Sequence, residues 1–508
     1  MPWWLVVLIV VGALLAAVVV WDLVQTRHAI LRNFPIIGHL RYMLERIGPE
    51  LRQYIVTDND EERPFSRDQR RWVYATAKRE NSYFGFGSDN TFAQAGYVLV
   101  RHATFPLPLP RPDDHTLIAP KVLGAWRSRP GAFRPSSIVN TSAMSFGSLS
   151  GPAVEAINRG VAVAGCLQNT GEGGIAAHHR HGGELIFQFG TGYFGCRDPD
   201  GRFSMDALVD TVGSAPVRAI EVKLSQGAKP GVGGVLPGAK VTAEIAATRG
   251  VARGETVLSP NHHHGFTDVA GLVEFVESIA AATGLPVGIK SAVGQPGFWT
   301  DLADHMAASR RGPDFVAVDG GEGGTGAGPL VFTDHVALPF RAAMAEVYRA
   351  FAQRDLQRDL VFIGSGKLGF PAEALAAVAL GADMINVGRE AMLAIGCVQA
   401  QRCHTGHCPT GVATQSRWLM RGLHPTDKAA RLANYVCGLR HDLLALSRAC
   451  GATHPSLVDP AALEAVVAAG ETAPLLDRYD YAEWSRLHAS DVAALEAATS
   501  TGGNILDP

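Results

Sequence analysis

The chain has 508 residues, 47% of them hydrophobic and 18% charged, with 45 Lys and Arg against 48 Asp and Glu. That length suits one large decorated domain or two to three ordinary ones, and the composition excludes global disorder. A net charge of −3 argues against nucleic-acid binding, and seven cysteines do not make a disulfide scaffold at this size.

From Trp3 to Trp21 the chain runs without a charge. At ~1.5 Å per residue this stretch is about long enough to cross a bilayer core as a helix, and tryptophan at both ends suits the two interfaces. A cleaved signal peptide is the rival, but it needs a basic segment before the apolar run and small residues after it. Arg27, Arg32, Arg41, Arg46 and Arg52 follow the run, which places the rest of the chain in the cytoplasm by the positive-inside rule. The expectation is a single-pass transmembrane anchor over 1–25, with the catalytic body cytoplasmic. Residues 26–114, with prolines at 106, 108, 110 and 112, show no clear period and read as a juxtamembrane lead-in.

From about 135 to 415, short β-branched or apolar runs end in glycine-rich loops and alternate with alanine-rich amphipathic stretches. The runs include 137–140, 219–223, 287–290, 315–319, 360–363 and 384–387. This alternation predicts right-handed βαβ units and a parallel sheet, an α/β fold. Functional residues after nearly every strand favour a (β/α)8 TIM barrel over 115–430, with a doubly wound sheet as the alternative. Residues 431–508 read as a helical C-terminal extension, Asp427–Arg448 and Pro460–Ala469 being the helical stretches of that end.

Cys397, Cys403 and Cys408, with Pro409 next, form the strongest chemical signal. Three thiolates suit an iron–sulfur cluster with three protein ligands. Zinc completed by His404 or His407 is the alternative, although the spacing departs from paired C-x2-4-C sites. Gly364-Ser365-Gly366-Lys367 and Gly388-Arg389 follow the last two strand runs, where barrels hold phosphate. The loop from Asp319 through Gly320, Gly321, Gly323 and Gly324 is open enough to let a planar ring approach bare backbone. Glu172 and Lys229 sit on separate tight loops, an acid and a base suited to binding a keto acid and moving its protons. His262-His263-His264 is a poor metal site, because consecutive residues on an extended chain face opposite ways.

Together these segments resemble the FMN-binding synthase domain of glutamate synthase. The matching stretches are Ser142–Ser148, Asn169–Gly174, Gln226–Gly231, Gly323–Leu330 and Gly396–Gln415, within residues 115–430. The resemblance implies FMN and a 3Fe-4S cluster on the three cysteines, the choice between 3Fe-4S and 4Fe-4S staying open. It implies reductive amination of 2-oxoglutarate, or a related 2-oxo acid, to glutamate. By position, Glu172 would stand beside the substrate and Lys229 would grip its carboxylate, with Gln226 nearby. Lys223 and Lys290 would approach the flavin. Ala143, Met144 and Ser145 would line the ring with Asn169 close by, and Gly364–Lys367, Gly388 and Arg389 would hold the phosphate.

The chain departs from the family's large enzymes in opening with an apolar segment instead of a glutaminase domain. After Gly173-Gly174 it continues Ile175-Ala176-Ala177-His178-His179, not Glu-Asp. An external nitrogen donor (ammonia or glutamine-derived) and a separate electron-donor protein such as ferredoxin are therefore expected, with no nucleic-acid partner. Two alternatives keep the cofactors: an electron-transfer or redox-sensing subunit, or an oxidoreductase acting on a different amino acid.

Overall fold

Eight short strands between residues 139 and 387 carry almost wholly buried side chains, as parallel strands covered on both faces must. They are β1 Val139–Thr141, β2 Gln168–Asn169, β3 Leu185–Phe189, β4 Val217–Lys223, β5 Val287–Ser291, β6 Phe315–Asp319, β7 Val361–Ser365 and β8 Met384–Val387. Each pairs in parallel with the next, and β8 returns to β1 through Ile385 opposite Val139, closing the barrel. The closed ring settles the fold in favour of the TIM barrel over the doubly wound sheet. The computed structural model describes the chain except residues 26–27, 53–55, 57–60, 81–82, 84, 89, 482–485 and 501–508. Arg27, one of the arginines on which the expected orientation rests, lies outside the described residues. Two compact units result, Met1–Gln69 and Arg70–Pro508.

In the first unit, Trp3–Val24 forms a helix of 22 residues with only Asp22 buried. After a short helix over Ala29–Asn33, a third runs over Ile37–Leu51.

In the second unit, local signals fix the element ends. The helix after β1, Gly151–Ala164, starts where the Ser150 hydroxyl accepts from the Ala153 amide and stops at Gly165 (φ 64°). That is an N-cap followed by a left-handed C-terminal glycine. The barrel base is filled by Leu167, Ile186, Ala219, Phe315, Ala317, Val361, Ile363 and Met384. Beside it, Arg129 makes a two-pronged contact with Glu277 (2.9 and 3.1 Å) and a third with Asp314 (3.0 Å). This ties the helix Val269–Thr283 to the entry of β6.

The C-terminal region departs in part from expectation. Helix Pro425–Ala449 packs on Gly151–Ala164, where a Cβ on Gly160 would lie 2.8 Å from Leu432. Leu463–Ala468, expected to be helical, is instead a strand between Val98–Val100 and Glu471–Pro474. Its Val466 and Val467 suit a pleated strand, and the edge offered by Val98–Val100 satisfies its backbone.

Candidate active site

Side chains alternate along a strand, so the residues two beyond the apolar base also face inward. These are Asn169, Gln188, Glu221, Asp319, Ser365 and Asn386, all buried. A polar layer thus lies between the apolar base and the mouth. Glu221 Oε1 accepts from Asn169 (2.8 Å) and Gln188 (2.6 Å), while its Oε2 has no hydrogen-bond partner among the described residues. The Asn169 amide is committed here, because its oxygen also accepts from the Gly171 amide at 3.0 Å. Lys290 faces Asp319 at 3.5 Å, and Asp319 accepts from the Gly227 amide at 2.9 Å.

Above this layer the mouth is formed by the loops that leave the strands, the functional end of such barrels. Glu172 comes from the loop after β2. Its carboxylate lies under the backbone of Gly190 and Gly234, where any Cβ would strike it. Lys223, the last residue of β4, donates to Glu172 Oε1 at 2.7 Å and to Gln226 Oε1 at 2.6 Å. Burial pushes the Glu172 carboxyl up, but Lys223, then Arg249 and Lys229, outweigh it and hold it below the ordinary range. Glu172 is therefore a half-buried carboxylate, ionised at neutral pH.

Lys229 points to the same place from the neighbouring loop and donates to the Ala327 carbonyl at 2.7 Å. Burial and the adjacent Lys223 lower its pKa, against the pull of Glu172. The acid and base read from sequence thus share one charge network, with Lys223 as the direct partner of Glu172. Arg249, which the sequence reading passed over, belongs to it as well. Its guanidinium donates to Ser145 Oγ (3.3 Å) and the Phe146 carbonyl (3.0 Å). Burial lowers its pKa to about 10 despite Glu172. It ends the short helix Ala243–Arg249, in the excursion between β4 and β5 that resembled ordinary amphipathic sequence.

The glycine-rich segments meet backbone to backbone. Gly171 (φ 65°) brings its loop so near the segment after β1 that a Cβ would lie 2.6 Å from the Ser145 amide. Ala143 and Met144 lie on that segment and are half-buried. Gly320 donates to the Ser365 carbonyl and Gly321 to the Leu338 carbonyl, both at 2.8 Å. Gly364 is squeezed between Phe340 and Leu368. Gly366 (φ 129°) would place a Cβ 3.2 Å from the Gly320 amide, and Lys367 follows at φ 58°. Gly388 faces Ser142, with 3.4 Å between its ideal Cβ and Ser142 Cβ, and Gly324 packs on Arg389. Arg389 also donates to the Glu322 carbonyl. Loops from β1, β2, β6, β7 and β8 so form a bare-backbone rim with Lys290 and Arg389 beside it. A flat, anionic cofactor fits such a cradle.

The three cysteines lie on the loop after the short helix Arg389–Ala394. Burial pushes the Cys397 thiol up to about 12, with Cys403 and Cys408 adding to the rise. Burial also raises Cys408, but amides of Ala413, Thr410 and Val412 and the Thr410 hydroxyl bring it below the ordinary value. Lys240 donates to the Cys403 carbonyl (3.3 Å) and the Ser148 carbonyl (2.9 Å), linking this loop to the segment after β1. Among the described residues no three His, Cys, Asp or Glu side chains converge on a single metal ion. The amide and hydroxyl donors around Cys408 suit an anionic sulfur.

His263 is buried, with its ring nitrogens 3.1 Å from the Tyr193 hydroxyl and 2.9 Å from the Lys223 carbonyl. Burial lowers its pKa to about 4. His262 and His264 are exposed, so the triplet is split as an extended chain requires.

Residues 130–453 match the family model described as the conserved region in glutamate synthase. The glutamate synthase large subunit-like protein YerD of Bacillus subtilis is 37% identical over 479 residues, which span 87% of this chain and 90% of that one. An archaeal glutamate synthase [NADPH] from Methanocaldococcus jannaschii is 38% identical over 61% of this chain, and the match spans 58% of that relative's length. Among solved structures, a flavocytochrome b2 mutant with pyruvate bound aligns over 87% of this chain and 98% of its own, at 15% identity and a TM-score of 0.45.

Proposed function

The chain belongs to the glutamate synthase family, oxidoreductases acting on CH–NH2 donors, and we propose that it reductively aminates 2-oxoglutarate or a related 2-oxo acid. The observation that carries this reading is the half-buried Glu172 carboxylate, held by Lys223, which Gln226 also accepts from, with Lys229 and Arg249 adding positive charge. An electron relay needs none of these groups. Family membership and the glycine rim support FMN as the cofactor, and the cysteine loop supports an iron–sulfur cluster.

When bound, FMN would supply the hydride and the cluster would pass electrons to it. The chain's own residues would do the rest. Lys229 and Arg249 present fixed positive charge to the carboxylates of the keto acid. Glu172, ionised at neutral pH, would carry one proton from nitrogen to the alkoxide as ammonia adds to the ketone, and a second from nitrogen to the resulting hydroxyl, which leaves as water and gives the imine. Lys223 fixes the carboxylate orientation through its second bond to Gln226. The backbone of Gly190 and Gly234 over the carboxylate limits the access of bulk water to those protons.

Nitrogen and electrons would come from outside the chain, the electrons from a small donor protein such as ferredoxin. The Trp3–Val24 helix, apolar and exposed along its length, supports a membrane anchor, and the arginines that follow support a cytoplasmic body. As domains, we take 1–25 as anchor, 26–114 as lead-in, 115–430 as barrel and 431–508 as extension. The decisive assay supplies purified protein with dithionite or reduced ferredoxin and screens 2-oxo acids with ammonia. Formation of a 2-amino acid is expected, and its absence with every keto acid would remove the amination reading.

A further inference from the structure

The helix Ile37–Leu51 carries its apolar residues on one stripe. Ile37, Leu40, Leu44, Ile47 and Leu51 alternate at three- and four-residue spacing, the period of a single helix face. None of them is covered: Ile37 is 74% exposed, Leu40 52% and Leu44 49%, and Met43 beside them is exposed too. Arg41 and Glu45 pair off this stripe at 2.8 Å, and Arg46 lies on the opposite side of the helical wheel.

This helix is fixed to the end of the apolar one. Asp22, fully buried, accepts from the Ile36 amide at 2.9 Å and from His39 Nε2 at 2.9 Å. One carboxylate near the last turn of Trp3–Val24 thus holds the first turn of Ile37–Leu51. Phe34 and Ile36, in the elbow between them, are exposed as well.

We propose that Ile37–Leu51 lies in the headgroup boundary of the cytoplasmic leaflet, its stripe facing the acyl chains of the bilayer that Trp3–Val24 crosses. The inference rests on the membrane-anchor reading and adds a second, in-plane contact to it. Continuity is the first argument, since the Asp22 elbow leaves no long tether between the two helices. Charge is the second. Residues 25–52 hold five arginines against Glu45 and Glu50, an excess that anionic headgroups attract. A second copy of the chain is the other possible cover for such a stripe. Coiled-coil pairing needs at least three to four heptads, whereas this helix has 15 residues and carries Gly48 and Pro49 near its end.

The test uses the full-length protein in phosphatidylcholine vesicles containing phosphatidylglycerol, with photoreactive benzoylphenylalanine placed singly at Leu14, Leu44, Ile47 or Arg46. Lipid adducts at Leu44 and Ile47 should come within about twofold of Leu14 and exceed Arg46 by about tenfold. Adducts at Leu14 without any at Leu44 or Ile47 would overturn the in-plane helix and leave the anchor standing. Protein–protein adducts at Leu44 or Ile47 would overturn it in favour of paired chains. Failure at Leu14 as well would remove the anchor, and this inference with it.

Discussion

The Lys223 ammonium lies 2.7 Å from the Glu172 carboxylate, so the acid at the barrel mouth is matched to the strand-end lysine, while Lys229 donates to the Ala327 carbonyl. Lys223→Met would leave burial opposed only by the more distant Arg249 and Lys229. The Glu172 carboxyl would then titrate at higher pH, and the acid limb of a kcat/KM profile should move up. In the unaltered protein the ion pair stabilises the fold above roughly pH 4.3, the ordinary Glu value. That contribution fades as pH falls through the depressed folded value. An unmoved acid limb in Lys223→Met would show that Glu172 is not the titrating base.

Glu172→Gln and Lys229→Ala should separate chemistry from binding. The first removes the proton acceptor and should lower kcat by about 10²–10⁴-fold with little change in KM. The second removes a carboxylate partner and should raise KM most. Both measurements use flavin reduced beforehand, so the electron donor does not enter. Wild-type turnover in both variants would return these residues to ordinary loop charges.

Replacing Cys397, Cys403 or Cys408 by Ser exchanges a soft thiolate for a hard, protonated hydroxyl. Iron and its visible absorbance should be lost from each variant while the flavin spectrum persists. Full iron content in all three would show that the thiols hold no cluster.

Arg129 supports the barrel from outside the mouth, between Glu277 and Asp314. Burial raises the Glu277 carboxyl, yet hydrogen bonds from Arg129 and Arg127 outweigh it and bring it to about 2, while burial lifts Asp314 to about 6. Arg129→Met would leave two buried carboxylates without their shared cation, at a cost of about 3–5 kcal/mol. A lower urea midpoint is expected, with flavin stoichiometry per folded chain unchanged. An unchanged midpoint would mean that the site relaxes to admit water.

Removing residues 1–25 should release the protein from membranes with its flavin and iron intact, because every barrel residue lies beyond them. Fractionation after alkaline washing decides this, and a full-length chain that washes off would contradict the anchor.

The barrel was legible where strands are apolar runs closed by glycine, as at Phe315–Asp319 and Met384–Val387. It was not legible at Gln168–Asn169, a two-residue strand whose side chains belong to the polar layer and carry no hydrophobic signal. Pro460–Ala469 read as helix because alanine favours helices and the sequence gives no sign of the distant partner Val98–Val100. Within the site, motif spacing brought forward Glu172 and Lys229. Their order of contact was hidden, since Lys223 reaches Glu172 across the curvature of three strands. Arg249 was missed for a related reason: a lone arginine closing an alanine-rich helix is unremarkable until its burial is known.

Closure of the barrel through Ile385 and Val139 also has a bearing on synthesis. β1 leaves the ribosome long before β8, and at roughly 5–20 residues per second the interval is on the order of tens of seconds. Throughout it the growing sheet has two open rims, each a row of unpaired N–H and C=O groups able to recruit strands from another chain.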